Sequence, residues 1–209
     1  IKTTGDVIQD RPLSEAGGKG LFVKEIEEAL LQGRIDAAVH SMKDMPTAQP
    51  PGLTISAFLP REDARDVLIA GDLARIDQLP QGASFGTSAL RRKALLLHRR
   101  PDLRIVTLRG NVDTRLAKRA DGTVQATILA LAGLNRLGRT GVGTAIPESE
   151  MLPAVGQGAV CIETRADEAR TRGWLAAIHH EATAVRVRAE HAMLVLLDGS
   201  CRTPIAGHT

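Results

Sequence analysis

The stretch F-G-T-S-A-L-R-R-K-A-L-L-L-H-R, residues 85–99, contains the pattern that decides the fold. It begins with a brief apolar strand at Phe85 and passes through small polar residues into a run with helical spacing. Ser88 stands at the N-cap position of that helix, which we predict to continue to about Arg99. A strand that leads directly into a helix is the repeating element of α/β folds.

The same alternation continues in both directions along the chain. Pro60–Asp63 and Met151–Pro153 are candidate linkers, and two linkers between two α/β lobes would leave a cleft between the lobes. Alternating strands and helices predict an α/β fold with mixed, mostly parallel sheets. The predicted strands cover 35–40, 53–59, 66–69, 104–108 and 159–164, residues 127–132 form a strand or a strand leading into a helix, and further helices cover 21–32, 114–119, 167–178 and 183–197.

Length and composition indicate a globular protein. The chain has 209 residues, of which 43% are hydrophobic and 24% charged, and this suffices for one large core or two small ones. No apolar run approaches the roughly 20 residues of a membrane span, and no secretory signal opens the chain. Two cysteines are too few for a disulfide scaffold and favour the cytoplasm. Since the chain begins at Ile1, we expect a fragment that lacks structure at both ends.

The basic residues are mostly arginine. Of 27 basic residues only six are lysine, and the net charge is +3. The planar fork of arginine binds carboxylates and phosphates bidentately, which favours a polyanionic small molecule as ligand. A GC-rich genome with many arginine codons explains the same composition equally well. Aromatic residues make up only 2%, so the stacking platforms of a single-strand nucleic-acid binder are missing.

Arginines cluster where predicted strands lead into helices. Arg91 and Arg92 fall in the first turn of a helix, where the positive end of the helix dipole disfavours cations unless an anion lies beside them. Arg109 and Arg115 repeat the arrangement at the next junction. Ligands of open α/β sheets bind beyond the carboxyl ends of the strands. Any one of these arginines could belong to a solvated face, but the four together favour an anionic ligand.

A carboxylate and a cysteine are further candidates. Asp44 follows Lys43 after a buried strand, and is either a structural ion pair or N-cap, or a group that stabilises positive charge on a ligand. Cys161 alternates into a strand and is expected in the core. Cys201 lies among turn-forming residues beside Arg202, which favours the thiolate; it is either an incidental surface thiol or a covalent attachment point.

Two other patterns carry less weight. The glycine-rich segment around Lys19 lacks the spacing of a P-loop. His40 and the group His179, His180 and Glu181 resemble a metal cluster only superficially, because adjacent histidines point to different faces of a helix. We predict no metal site.

Six strings in this order resemble the hydroxymethylbilane synthase (porphobilinogen deaminase) family. The resemblance is colinear and covers essentially the whole chain, so the set is far more specific than any single string. The strings are G-G-K-G-L-F-V-K-E at 17–25, D-A-A-V-H-S-M-K-D-M-P at 36–46, G-T-S-A-L-R-R at 86–92, L-R-G-N-V-D-T-R at 108–115, L-P-A-V-G-Q-G-A at 152–159 and D-G-S-C-R-T-P-I-A-G at 198–207.

The resemblance implies a cytoplasmic monomer of three domains. The first two are lobes like those of periplasmic binding proteins, with the active site between them, and the third is a small α+β domain that carries a cofactor cysteine. Residues 1–59 with 159–178 would form most of the first domain, residues 65–151 the second, and residues 180–209 the start of the third.

The resemblance also implies the chemistry. The family joins four porphobilinogen units head to tail on a dipyrromethane cofactor and releases hydroxymethylbilane for haem biosynthesis. The cofactor would be held through a thioether to Cys201, with Asp44 as the catalytic carboxylate and Lys43 beside it. The matching cofactor-binding residues are Lys19, Thr87, Ser88, Arg91 and Arg92, and those for the substrate and the growing pyrrole chain are Arg109, Arg115 and Arg136.

The sequence departs from the family pattern at several places. Ala89 stands where serine is common, His191 where arginine is usual and Glu15 where lysine is frequent, and the N-terminal R-x-S-x-L-A segment is absent. The alternative function is a two-lobed protein that binds a polyanionic small molecule without chemistry. Cys201 and Asp44 argue against it, because simple capture needs neither.

Overall fold

The computed structural model describes Ile1, residues 23–200 and residues 203–209. None of the helices in these ranges is both long and apolar enough to span a membrane. The strands are β1 (Ala38–Ser41), β2 (Leu53–Phe58), β3 (Asp66–Ile69), β4 (Ser84–Gly86), β5 (Arg104–Val106), β6 (Ala126–Ala130), β7 (Thr144–Ala145) and β8 (Val160–Arg165), and the helices are α1 (Lys24–Leu31), α2 (Leu90–Arg99), α3 (Val112–Ala120), α4 (Leu131–Arg136), α5 (Ala169–Leu175) and α6 (Glu181–Leu196).

The described residues form two compact units. The first unit takes its residues from 1–62, 155–201 and 207–209, and the second takes its residues from 63–154 and 202–206. The chain passes between the units at 62–63, inside the predicted linker Pro60–Asp63, and at 154–155, directly after the predicted linker Met151–Pro153. Near its end, residues 203–206 are grouped with the second unit and residues 207–209 with the first. The start of a third domain at residue 180 stays a prediction, and α6 is grouped with the first unit.

The first unit contains a three-stranded antiparallel sheet. Its strand order is β1-β8-β2, so that β8, which returns late in the chain, lies between two early strands. Helix α1 ends at Leu31 with Gln32 as its C-cap, and Gly33, with a φ of +68°, then turns the chain away. The core of this unit includes Val23, Met42, Met45, Phe58, Ala159, Cys161, Ala184 and Val187.

The second unit contains a five-stranded mixed sheet. Its order is β5-β4-β6-β3-β7, with β4 parallel to both β5 and β6, and β3 antiparallel to both β6 and β7. Helix α2 packs on this sheet through Leu96, which is fully buried. The main core includes Leu68, Ile76, Leu79, Phe85, Leu96, Leu103, Ala126, Ile128, Ile146 and Met151.

The α/β fold with mixed sheets is confirmed, but the parallel share is smaller than expected. Among the described strands, parallel pairing is confined to β4 with its two neighbours. Parallel neighbours need a crossover connection, and the helices α2 and α3 provide it between β4, β5 and β6. Strands β3, β7 and β8 reach their partners through other connections and run antiparallel to them.

The N-cap prediction for α2 is wrong by one residue. The N-cap is Ala89, with φ −84° and ψ 118°, and no side chain caps the helix there. The Ser88 hydroxyl instead donates to the Leu108 carbonyl over 2.8 Å. The Thr87 hydroxyl accepts from the backbone N–H of Ala89 over 3.2 Å. Both hydroxyls thus stabilise the strand-to-helix turn rather than the helix itself.

Candidate functional site

Two arginines of α2 share one carboxylate inside the second unit. Arg91 Nη2 lies 2.7 Å from Asp66 Oδ2, and Arg92 Nη2 lies 2.7 Å from Asp66 Oδ1. Arg92 Nε lies 3.3 Å from Oδ2, which makes the Arg92 contact bidentate. Asp66 opens β3, which runs antiparallel to β6 and so places this carboxylate at the edge where β6 ends.

Backbone carbonyls complete the environment of the two guanidinium groups. Arg91 Nη1 donates to the Leu152 carbonyl over 2.7 Å, and Arg92 Nη1 donates to the Ile128 carbonyl over 3.1 Å. The residue exposures are only 5% for Arg91, 6% for Arg92 and 0% for Asp66. Charged side chains that are buried to this degree must be paired, and here each has hydrogen bonds that fix its orientation.

The electrostatics of this group leave a positive excess. Burial by itself raises the pKa of Asp66, but the charges of Arg92 and Arg91 and their hydrogen bonds outweigh it, so the pKa lies well below the usual range. Burial lowers the pKa of Arg91, and the neighbouring charge of Arg92 lowers it further. One carboxylate and two guanidinium groups carry one net positive charge, which favours a further anion nearby.

The anion expected beside Arg91 and Arg92 is therefore, in the first instance, Asp66. Sequence reasoning missed this residue, which lies 25 residues before Arg91 in the chain. The sequence contains a signal, since Asp66 opens a predicted strand whose next three residues are apolar, and all four residues are buried in the structure. A buried acid in an apolar strand requires a cationic partner.

The other predicted arginines of the second unit follow strands of the same parallel set. Because β4, β5 and β6 are parallel, the residues after their carboxyl ends meet at one edge of the sheet. Thr87 and Ser88 follow β4, Arg109 follows β5, and Arg115 lies in α3 with its Nε donating to the Gly110 carbonyl over 2.8 Å. Arg136 ends α4, after β6, and is exposed.

Lys43 and Asp44 lie in the first unit, on a short 3-10 turn that directly follows β1. The turn covers Met42–Asp44, and Met42 N donates to the Ala159 carbonyl over 3.0 Å. Lys43 is half-buried, and its Nζ lies 3.4 Å from Gln157 Oε1. Asp44 is exposed. The turn thus presents an ammonium group and a carboxylate on consecutive residues.

Cys161 is a core residue, as predicted. It is fully buried in β8. Burial raises the pKa of its thiol to about 12, and the charges of Glu163 and Asp44 contribute to the increase. Such a thiol is a poor nucleophile at neutral pH.

Three predicted positions lie outside the described residues: Lys19, Cys201 and Glu15. Of the other departures, Ala89 leaves α2 without a side-chain cap, and His191 lies half-buried in α6. Burial lowers the pKa of His191. Within the ranges that the structure describes, no group of three or more His, Cys, Asp and Glu side chains is arranged to hold a metal ion.

Known proteins resemble this chain over its whole length. A family model described as "Porphobilinogen deaminase, dipyromethane cofactor binding domain" matches residues 1–173. The porphobilinogen deaminase of Paracoccus denitrificans is 60% identical over 99% of this chain, and that of Nitrobacter winogradskyi is 57% identical over 100% of it. The chain spans 66% of the length of each of these two relatives.

The similarity to solved structures is weaker. A periplasmic sulfonate-binding protein from Methylobacillus flagellatus is 19% identical, with a TM-score of 0.44, over 82% of this chain and 52% of that one. The α/β assignment rests on the strands and helices described above.

Proposed function

The chain belongs to the porphobilinogen deaminase family, and on that premise we propose that its protein is a hydroxymethylbilane synthase. It joins four porphobilinogen units head to tail on a covalent dipyrromethane and releases hydroxymethylbilane for haem biosynthesis. A two-lobed binding protein without chemistry is not favoured, because the family model and both relatives are described as porphobilinogen deaminases.

The observation that carries the proposal is the positive excess around Asp66. The dipyrromethane and the pyrrole chain carry acetate and propionate groups, and each added pyrrole brings two more carboxylates. The guanidinium groups of Arg91 and Arg92 are held in place by Asp66 and by backbone carbonyls. Guanidinium groups that are fixed in this way hold a net positive charge in place, and this charge attracts the carboxylates of the ligand.

Further residues at the same sheet edge extend this binding surface. We assign the cofactor carboxylates to Arg91 and Arg92, with hydrogen bonds from Thr87 and Ser88. Arg109, Arg115 and Arg136 bind the carboxylates of the substrate and the growing chain. Positive groups after three parallel strands suit a product whose negative charge increases with every addition. Lys19, from the glycine-rich segment, contributes another positive group to the cofactor.

Asp44 and Lys43 provide the chemistry in this proposal. When bound through Cys201, the dipyrromethane supplies the pyrrole carbon to which the first substrate unit is joined. The carbon–nitrogen bond of the incoming porphobilinogen breaks, ammonia leaves, a carbon–carbon bond forms and one proton is lost. Asp44 accepts hydrogen bonds from pyrrole N–H groups and stabilises the positive charge that develops. Lys43 binds a neighbouring carboxylate.

We also propose where the protein acts, its oligomeric state and its partners. We place it in the cytoplasm as a monomer that acts on porphobilinogen and binds neither nucleic acid nor membranes. The net charge of only +3 and the aromatic content of 2% support the absence of nucleic-acid binding.

An intact-mass measurement tests the proposal. The purified protein is weighed beside its Cys201→Ser variant, before and after addition of porphobilinogen. We expect an extra mass of one dipyrromethane in the protein but not in the variant, and stepwise increases when porphobilinogen is added. An unmodified protein that also gains no mass from porphobilinogen would overturn the proposal.

A further inference from the structure

A glycine-rich loop packs directly against the turn that carries Lys43. The loop Gly156-Gln157-Gly158 precedes β8, and Gly156 has a φ of +71°. A Cβ atom at Gly156 would lie 2.9 Å from Met42 Cγ and 3.3 Å from Lys43 N, so only glycine permits this approach. The loop and the turn are therefore packed so closely that a side chain at position 156 would displace the turn.

Gln157 connects the loop to the Lys43 side chain. Gln157 is only 1% exposed. Its Oε1 lies 3.4 Å from Lys43 Nζ, a distance at which the ammonium donates a long hydrogen bond to the amide. The buried amide thus limits where the end of a long lysine side chain can lie.

An ion pair holds the loop from its other side. Arg61 Nε donates to the Gln157 carbonyl over 2.9 Å, and its Nη1 and Nη2 lie 2.5 and 3.1 Å from the two carboxylate oxygens of Glu190. Glu190 Oε2 also accepts from Gly156 N over 2.8 Å. Burial raises the pKa of Glu190, but the hydrogen bonds from Arg61 and Gly156 lower it below its usual value. The N–H of Gly156 and the carbonyl of Gln157 are thus both bound by the Arg61–Glu190 pair.

From this geometry we infer that Gln157 is a positioning residue for Lys43, and that Arg61 and Glu190 hold Gln157 in place. The inference rests on the proposed function, in which Lys43 binds a carboxylate of the cofactor or the substrate. Gln157 acts through Lys43 and has no chemical step of its own.

The neutral amide suits this role better than a carboxylate would. A lysine side chain loses considerable rotamer freedom when it binds a ligand, and an acceptor that orients it beforehand reduces this cost. A glutamate at position 157 would also orient Lys43, but it would neutralise the ammonium and compete with the carboxylate of the ligand. Glutamine orients the ammonium without neutralising its charge.

Two substitutions at position 157 separate these effects. Gln157→Met removes the acceptor at similar length, and Gln157→Glu keeps the acceptor but adds a charge. Gln32→Met, at the exposed C-cap position of α1, is the matched control. The chain has only six lysines, so ¹³C-methyl labelling of lysine amines gives a resolvable NMR spectrum, in which Lys43→Arg assigns the Lys43 signal.

We expect the Lys43 signal to move toward the exposed lysines in Gln157→Met, and its titration midpoint to rise in Gln157→Glu. In steady-state assays, we expect Gln157→Glu to raise KM about tenfold with little change in kcat, since it weakens one charge-assisted contact. Glu190→Gln, at the far side of the loop, moves the Lys43 signal in the same direction as Gln157→Met.

A Lys43 signal that is unchanged in folded Gln157→Met and Glu190→Gln proteins overturns the inference. A loss of thermal stability without any change at Lys43 also overturns it, because it assigns the ion pair a structural role alone. If Glu190→Gln does not fold, the Gln157 variants still decide. If the Lys43 signal responds as expected but the wild-type protein neither loads a cofactor nor turns over porphobilinogen, the positioning stands and the proposed function fails.

Discussion

Arg92 and Asp66 form a bidentate, buried ion pair, in which Nη2 lies 2.7 Å from Oδ1 and Nε lies 3.3 Å from Oδ2. The same carboxylate binds Arg91 Nη2 over 2.7 Å. The pair links the first turn of α2 to the first residue of β3. Asp66 therefore has two roles. It stabilises the second unit, and it orients the guanidinium groups that we propose to bind the ligand.

Asp66→Asn tests whether Asp66 stabilises the second unit. The substitution leaves two buried guanidinium groups without their negative partner, so we expect the second unit to lose about 3–5 kcal/mol of stability. Hydrogen exchange of peptides from β3 and β6 measures this loss in the unit concerned. Asp72→Asn, at an exposed position of the same unit, is the control, and should change stability by about 0.5 kcal/mol or less. Equal protection in both variants would contradict the structural role of Asp66.

The pH dependence of stability follows from the same carboxylate. The pKa of Asp66 in the folded protein lies below its ordinary value of 3.8. A depressed pKa contributes stability above the unfolded pKa, and that contribution is lost as the pH falls below about 4 toward the folded pKa. We expect the protection of β3 and β6 to fall between about pH 5 and pH 2 in the wild type, and to fall less steeply in Asp66→Asn. Parallel curves for the two proteins would rule out this linkage.

A substitution at Ala89, the N-cap residue of α2, should stabilise the protein. Ala89 has the extended backbone of an N-cap but no side chain that can accept a hydrogen bond. Ala89→Ser provides an acceptor for a free N–H of the first turn, so we expect a gain of about 1 kcal/mol in unfolding free energy. The same change within the helix, Ala94→Ser at an exposed site, should cost about 0.5 kcal/mol, because serine is a poorer helix former than alanine. Urea unfolding of both variants checks the opposite signs.

Much of the fold could be predicted from local patterns. The predicted helix ending near Arg99 is α2, and the predicted strand at 159–164 is β8, shifted by one residue. Periodicity and turn residues act over a few residues, so they locate elements well. They do not predict which strands pair or in which direction, because pairing joins residues that are far apart in the chain. Strand β8 pairs antiparallel with β1, for example at Ala38 and Glu163, which are 125 residues apart.

The candidate site could be predicted only in part, for the same reason. The positions of the arginines after β4 and β5 could be predicted, because they depend on local junctions, and their binding roles stay predictions. Local patterns do not predict Asp66 as the partner of Arg91 and Arg92, because its place beside them depends on the antiparallel pairing of β3 with β6. The ion pair between Arg61 and Glu190 joins residues that are 129 positions apart in the chain. Only the tertiary structure brings such pairs together.

Cys161 should be unreactive in the folded protein. Its thiol is buried, and with a pKa of about 12 only about one molecule in ten thousand is a thiolate at pH 8. In the Cys201→Ser variant, we expect iodoacetamide to leave the folded protein unmodified and to alkylate it once in 8 M urea. Mass spectrometry measures both states. Rapid alkylation of the folded variant would contradict the burial, and would also weaken Cys201→Ser as a control for cofactor attachment.

Asp44 is the residue on which the proposed chemistry depends most directly. It is exposed at the end of the 3-10 turn, where its carboxylate can meet a pyrrole N–H. Asp44→Asn keeps the shape but removes the negative charge, so we expect turnover of porphobilinogen to fall on the order of 10²–10³-fold. Asp167→Asn, at an exposed turn of the same unit, should leave turnover unchanged. Steady-state rates of both variants near that of the wild type would remove Asp44 from the mechanism, and the positive charge that develops on the substrate would then need another partner.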